Sequence, residues 1–202
     1  MAGIAASLAL SACGGGATQS ASEPSGVFPV SVAVATFPTF QRLAERTHMR
    51  IAVRNTGQKT IPDIAVTITD PPYGTSVQAF GRYVSQPGLA NHSRPVWIID
   101  RPPGPCTYSC LNGGPGGAVT AYSNTWALGP LAPGQTATFV WGVTAVAPGT
   151  HFVRYEIAAG LAGKAKARTS GGAIPAGTFR VRITQQPQQS YVNSNGQVVA
   201  VK

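Results

Sequence analysis

Hydrophobic and polar residues alternate along much of the chain, most regularly in two neighbouring segments, Gln135–Ala145 and Thr150–Ile157. Alternation with a period of two residues is typical of a β-strand that buries one face. The breaker Ala147-Pro148-Gly149 between the segments predicts a turn. The inward face is predicted to carry the large apolar residues Phe139, Trp141, Val143, Val153, Tyr155 and Ile157. These two strands are therefore expected to form the late part of a β-sheet core.

The same alternation predicts further strands on both sides of this block. The first strand, Phe28–Thr36, is predicted to turn Phe28, Val30, Val32 and Val34 inward. The other predicted strands are His48–Asn55, Ile61–Asp70, Val119–Leu128 and Gly177–Thr184.

Three connections between these strands have their own signals. A short turn containing Gly57 joins His48–Asn55 to Ile61–Asp70, and such a turn between two alternating segments predicts a hairpin. The polar connector Thr39–Thr47 has some helical character. In the tail, Asn195-Gly196 is a favoured hairpin turn, so we expect a small hairpin or a disordered end there.

Composition favours the same fold class. The 202 residues include 24 Gly and 17 Pro, and only 10% are charged, which suits an all-β protein with many turns. A hydrophobic content of 43% can form the core of one domain. Between Pro71 and Tyr122 the pattern breaks up into a long Pro/Gly-rich excursion. We therefore predict one all-β, immunoglobulin-like antiparallel β-sandwich with a long loop insertion.

The N-terminal segment has the form of an export signal, because an apolar stretch ends in small residues and a cysteine. Leu10-Ser11-Ala12-Cys13 resembles the lipobox of bacterial lipoproteins. That resemblance implies cleavage before Cys13 and lipidation of its thiol, and the alternative is an ordinary signal peptide. The predicted division is a signal at 1–12, a flexible tether at 13–26, the sandwich at 27–184 and a polar tail at 185–202.

Two motifs within the predicted sandwich resemble those of a known group of domains. Val53–Ile68 contains an Asn-Thr-Gly turn, and Trp126–Phe139 contains Leu-Ala-Pro-Gly-Gln-Thr-Ala. Both are similar to the conserved-repeat and cell-adhesion-related domains of bacterial surface proteins. The resemblance covers roughly Phe28 to Thr184, apart from the excursion, and implies an extracytoplasmic immunoglobulin-like domain. It implies no catalytic residues.

With Cys13 assigned to lipid, Cys106 and Cys110 form a pair, and an exported protein most simply joins such a pair in a disulfide. The alternative is a metal site with His92, but zinc normally takes four protein ligands in a structural site and the chain has only 3 Cys. We therefore predict no metal and no cofactor.

Catalytic patterns are missing from the sequence. His48, His92 and His151 occur in unrelated segments without a Gly-x-Ser-x-Gly elbow. The Gly113–Gly117 stretch lacks the Lys-Ser/Thr ending of a phosphate loop. The chain is accordingly predicted not to be an enzyme.

The net charge of +9 should attract polyanions. Outside the cytoplasm the available polyanions are anionic lipid head groups and acidic wall polymers, so we predict no nucleic-acid partner. Another envelope protein is a further possible partner. Trp97 lies in a short apolar segment among the irregular parts of the excursion and is the tryptophan most open to a surface role, whereas Trp141 is expected in the core. If their strands are neighbours, five arginines on outward faces would form one basic wall; these are Arg50, Arg54, Arg154, Arg180 and Arg182.

These observations predict a lipid-anchored, non-catalytic binding or adhesion protein of the bacterial cell envelope. Its partner would meet either the loops between Pro71 and Tyr122 or the arginine face. The alternative is a structural accessory module without a ligand of its own. A third possibility is an envelope hydrolase that uses the loop region around His92.

Overall fold

The computed structural model describes residues 22–69, 79–82, 95–104 and 124–201. These residues form thirteen β-strands, whose bounds are β1 Gly26–Thr36, β2 Phe40–Leu43, β3 Arg46–Asn55, β4 Ala65–Thr69, β5 Phe80–Arg82, β6 Trp97–Arg101, β7 Thr125–Ala127, β8 Thr136–Ala145, β9 Gly149–Ala158, β10 Ala165–Arg168, β11 Ala176–Pro187, β12 Ser190–Val192 and β13 Val198–Ala200. The described residues contain no helix long and apolar enough to span a membrane.

The strands form two large sheets. Sheet I has the order β10-β1-β3-β8-β6-β5, and sheet II has the order β2-β11-β9-β4-β7. The sequence β1-β3-β8-β6 reproduces the A-B-E-D sheet of an immunoglobulin domain, and β11-β9-β4 reproduces its G-F-C sheet. These central pairs are antiparallel, and parallel pairs occur at the sheet edges, where β10 joins β1, β2 joins β11 and β5 joins β6. The predicted immunoglobulin-like sandwich is confirmed.

The inward faces of the two sheets meet in one hydrophobic core, as the alternation predicted. Met49, Ile51 and Val53 of β3 are fully buried, as are Phe139, Trp141 and Val143 of β8. Across the sandwich, the ring of Trp126 on β7 lies edge-to-face against Trp141, with centroids 5.5 Å apart. Trp141 is therefore a core residue, as expected.

The first strand departs from the predicted alternation after its midpoint. A register shift between Val32 and Val34 interrupts its pairing with β3. A bulge of this kind inserts one residue and so reverses which side chains face the core. Val34 is consequently 38% exposed, and the prediction that it points inward is wrong.

Two predictions of local structure are also wrong. The segments before and after Gly57 do not form a hairpin, because β3 belongs to sheet I and β4 to sheet II. The turn between them carries the chain across the sandwich. The connector with helical character contains no helix, and Phe40–Leu43 instead adds β2 to the edge of sheet II.

The two motifs that suggested the surface-protein resemblance are in direct contact. The buried Asn55 side chain donates from Nδ2 to the carbonyl oxygens of Lys59 and Leu131, both at 2.9 Å. Its Oδ1 accepts from the Gly57 amide at 2.9 Å. The Asn55 backbone adds a pair of hydrogen bonds to Gly134 and Gln135. The Asn-Thr-Gly turn therefore holds the turn before β8 in place.

The N-terminal end of the described chain is fastened to the domain. The Glu23 carboxylate accepts hydrogen bonds from the amides of Ala162, Lys164 and Ala165 at 2.7 to 2.8 Å. Gly160 allows this approach, because a Cβ there would overlap the carboxylate. In the tail, β12 and β13 form the predicted hairpin around Asn195-Gly196, so that prediction is confirmed.

Candidate binding face

The five predicted arginines lie on both sides of the sandwich. Arg50 and Arg54 point outward from β3 in sheet I, whereas Arg154, Arg180 and Arg182 belong to β9 and β11 in sheet II. The prediction of a single wall formed by all five is therefore wrong. The physical reason is that the period-two alternation identifies outward positions without saying which sheet a strand joins.

In sheet II the strand register places one arginine in each of four successive rows. A row here is a set of residues that pair side by side on neighbouring strands. The first two rows pair β11 with β9, as Thr178–Arg154 and Arg180–Phe152. In the third row Arg182 of β11 lies between Phe40 of β2 and Thr150 of β9, and the fourth row pairs Thr184 of β11 with Arg42 of β2. Same-face residues on one strand lie about 7 Å apart, so the four rows span about 20 Å along the strands. No carboxylate belongs to any of these rows. We call this surface the arginine track, defined as Arg42, Arg154, Arg180, Arg182, Phe40 and Phe152.

The two middle rows of the arginine track also present aromatic rings to solvent. Phe40 is 66% exposed and Phe152 is 45% exposed. Arg182 lies over the Phe40 ring, with 5.8 Å between the guanidinium carbon and the ring centroid. That distance is within the range of a cation–π contact. Each phenylalanine therefore stands directly beside an arginine on the neighbouring strand, and basic and aromatic groups alternate across the face.

A groove of about 440 Å³ adjoins the arginine track near its Arg42 end. It lies where β9 begins and β11 continues past it. Its walls are formed by Pro148, Gly149, Thr150, Arg182, Ile183, Thr184 and Gln185. Hydroxyl, amide and guanidinium groups from this set can all donate hydrogen bonds to an anionic or hydroxyl-bearing ligand.

The outer face of sheet I has a different composition. Arg54 stands between Ser31 and Thr136, and Arg50 stands between Thr36 and Val140. In its described part this face exposes no aromatic side chain, and its large exposed hydrophobic residues are Val27 and Val34 of β1. Arg50 and Arg54 are thus charges set among small residues, without the rings of the arginine track.

Trp97 has a structural position. It is fully buried, and its indole donates to Oε1 of Gln41 at 2.7 Å. The Phe37 and Phe80 rings pack against it at centroid distances of 5.2 and 5.9 Å. The prediction of a surface role for Trp97 is wrong, because both its ring and its polar group are satisfied inside the domain.

Several predicted site residues lie outside the described residues. These are Cys13, Cys106, Cys110 and His92, so lipidation, the disulfide and the metal alternative stay predictions. Of the other two histidines, His48 is exposed on β3, and the His151 ring contacts the Ala147 carbonyl oxygen at 3.1 Å. Within the described ranges, no three His, Cys, Asp or Glu residues are grouped in a way that could hold a metal ion.

Sequence reasoning missed half of the arginine track. The signal for Phe152 was present, because a large aromatic residue at an outward position of a regular strand is unusual. Phe40 and Arg42 fell in the connector with helical character, where no strand was expected. The alternation of exposed Phe40, buried Gln41 and exposed Arg42 was too short to predict a strand.

Comparison with known proteins gives structural neighbours only. No protein-family model matches the sequence, and neither does any curated protein. Similar solved structures include Escherichia coli alpha-2-macroglobulin from domain MG7 to the C-terminus, at 13% identity and a TM-score of 0.43, covering 84% of this chain and 21% of that one. A CARDB domain from Pyrococcus furiosus gives 14% identity and a TM-score of 0.39, covering 79% and 95%. A β-glucosidase from Listeria innocua in complex with glucose gives 13% identity and a TM-score of 0.33, covering 79% of this chain and 16% of that one.

This chain spans between 7% and 21% of the length of the four alpha-2-macroglobulin chains it resembles.

Proposed function

We propose that this protein is a non-catalytic binding protein of the bacterial cell envelope, held to a membrane through lipid on Cys13, and that its arginine track binds an anionic polymer. The observation that carries the proposal is the row pattern of sheet II, with one arginine in each of four successive rows and no carboxylate among them. A series of positive charges along one direction is complementary to an extended chain that carries repeated negative charges.

The opposite face supplies a matched control for this proposal. Arg180 and Arg182 are two residues apart on β11, and Arg50 and Arg54 are a similar pair of exposed arginines on β3. Replacing either pair with glutamate changes the net charge by the same amount. The double variants R180E/R182E and R50E/R54E therefore separate the effect of the arginine track from the effect of overall charge.

The experiment measures retention of the full chain on immobilised long-chain polyphosphate during a salt gradient. R180E/R182E is expected to elute at clearly lower salt than the parent, because it removes charges that contact the polymer. R50E/R54E should elute close to the parent, because salt screens charges on the opposite face, which lie more than a Debye length from the polymer. Equal losses for the two pairs would show that only net charge matters. No retention of the parent would favour the alternative, an accessory module without a ligand.

The lipid anchor is tested separately by mass spectrometry of the mature N-terminus. An acylated Cys13 at residue one supports anchoring, since several acyl chains on one residue bind a bilayer stably. Cleavage at another position, with Cys13 unmodified, would contradict it. The binding experiment is independent of this result, because its variants change only β3 and β11.

A further inference from the structure

The two exposed phenylalanines are the feature of the arginine track that simple charge attraction leaves unexplained. A binding face for charge alone needs only the four arginines, yet the middle rows hold Phe40 and Phe152 with 66% and 45% of their surface in solvent. Exposed rings are unfavourable in water, and rings grouped on one face indicate a contact surface. Their ligand should therefore have apolar faces between its negative charges.

We infer that the polymer is a linear acidic polysaccharide that runs along β11, with its acid groups on the arginines and its sugar rings against Phe40 and Phe152. This inference rests on the proposed function. The C–H groups of a sugar ring present an apolar face that packs on an aromatic ring, while its carboxylates accept paired hydrogen bonds from guanidinium groups. Guanidinium groups and aromatic rings lie side by side in the two middle rows of the arginine track, where Arg180 pairs with Phe152 and Arg182 pairs with Phe40.

The rest of the face fits a hydroxylated ligand. Thr150, Thr178 and Thr184 occupy the remaining positions of the rows, and each has a hydroxyl group that can donate and accept hydrogen bonds. The adjoining groove continues this polar lining through Gln185. Its volume of about 440 Å³ lies within the range of small-molecule sites, so it can receive the sugar at one end of the chain.

A lipid surface suits this face less well. Stable insertion at a membrane interface depends on a continuous apolar surface. Here the two rings are separated by Arg180 and Arg182 on the strand between them, and threonines fill the neighbouring positions. Nucleic acid could also stack on exposed rings, but the export proposed for this chain would keep the face away from it.

The decisive experiment compares ligands of equal charge with and without sugar rings. An oligomer of a hexuronic acid and an oligomer of glutamic acid with the same number of carboxylates are titrated into the protein by calorimetry. The oligouronate is expected to bind about tenfold more tightly, because only it can pack on the phenylalanines. Phe40→Ala and Phe152→Ala should each remove much of this difference while leaving the affinity for oligoglutamate nearly unchanged.

Tyr191→Ala is the matched control, since Tyr191 is an aromatic residue of the tail hairpin that is 56% exposed and lies outside the arginine track. It should bind both oligomers like the parent. Thermal unfolding of each variant confirms that the fold persists, which is expected because both phenylalanines are exposed.

Other outcomes overturn the inference in distinguishable ways. Equal affinity for the two oligomers, unaffected by the phenylalanine variants, would support an anion-binding face but refute the inference that its ligand is a polysaccharide. Tighter, phenylalanine-dependent binding to vesicles containing phosphatidylglycerol would identify a membrane surface instead, and the same result with a single-stranded oligonucleotide would identify nucleic acid. Failure of all probes, together with no effect of R180E/R182E on polyphosphate retention, would refute the proposed function as well.

Discussion

Asn55 offers the sharpest test of how the two turn motifs stabilise the domain. Its side chain is fully buried, and both amide hydrogens and the carbonyl oxygen are used, in bonds to Lys59, Leu131 and Gly57. Asn55→Ala removes all three bonds without adding volume. Asn55→Asp keeps the acceptor for Gly57 but turns a carboxylate oxygen towards the carbonyl oxygens of Lys59 and Leu131.

The magnitude follows from these contacts. Each of the three hydrogen bonds contributes about 1 kcal/mol net, and the Leu131 carbonyl oxygen keeps a second donor in the Ile61 amide. Asn55→Ala is therefore expected to lower the free energy of unfolding by about 3 kcal/mol, a large part of the roughly 5–15 kcal/mol typical of a domain. The carboxyl group that Asn55→Asp introduces would be protonated more readily in the folded state than in the unfolded state, so the stability of that variant should rise as the pH falls.

Urea unfolding followed by tryptophan fluorescence measures both effects, because the three tryptophans report on the fold. Thr56→Ala is the control, as Thr56 is exposed and its backbone bond to Pro29 is kept. A loss below about 1 kcal/mol for Asn55→Ala would refute the reasoning, since that is the contribution of a single bond. So would an Asn55→Asp variant as stable as the parent at neutral pH.

Two further predictions concern stability. Gly177→Ala should lower the urea midpoint by an amount equivalent to about 1–3 kcal/mol, because the new methyl group would overlap the Tyr155 ring, whereas Gly171→Ala, in open surroundings, should not. Burial opposes ionisation of the Glu23 carboxyl, but hydrogen bonds from the amides of Ala162, Ala165 and Lys164 outweigh it and lower its pKa below 4.5. The resulting stability is present above pH 4.5 and lost as the pH falls through the lowered value, so thermal unfolding should be less acid-sensitive in Glu23→Gln than in the parent. Glu156→Gln, at an exposed carboxylate of β9, is the control, and an unchanged acid dependence in Glu23→Gln would contradict the assignment.

Much of the fold could be predicted from alternation, because burial of one face imposes a period of two whatever the partner strand. This holds for the core residues of β3, β8 and β9, and for the turn chemistry at Asn55 and Gly134. The prediction from alternation failed where a β-bulge interrupts the period of two residues. The bulge in β1 exposed Val34, which the pattern placed inside.

The candidate site was harder to predict, because a face depends on contacts that are distant in sequence. Arg42 and Arg182 are neighbours only because β2 pairs with β11, and Arg50 is separated from them because β3 pairs with β8 in the other sheet. Nothing local to these residues records those partners. The excursion also provided β5 and β6, of which β6 lies against β8, so part of the predicted insertion belongs to the sandwich.

The prediction for Trp97 was wrong about its position, yet the structure connects Trp97 to the arginine track by another route. Its indole holds Oε1 of Gln41 in the core, and Nε2 of Gln41 donates to the Pro38 carbonyl oxygen at 3.0 Å. Because neighbouring residues of a strand point to opposite faces, fixing Gln41 inward turns Phe40 and Arg42 outward. A shift of β2 by one residue would reverse all three and remove one ring and one charge from the track. The buried indole is thus a positioning group for the exposed face, because it holds Gln41 inward where Phe40, Gln41 and Arg42 pair in register with β11.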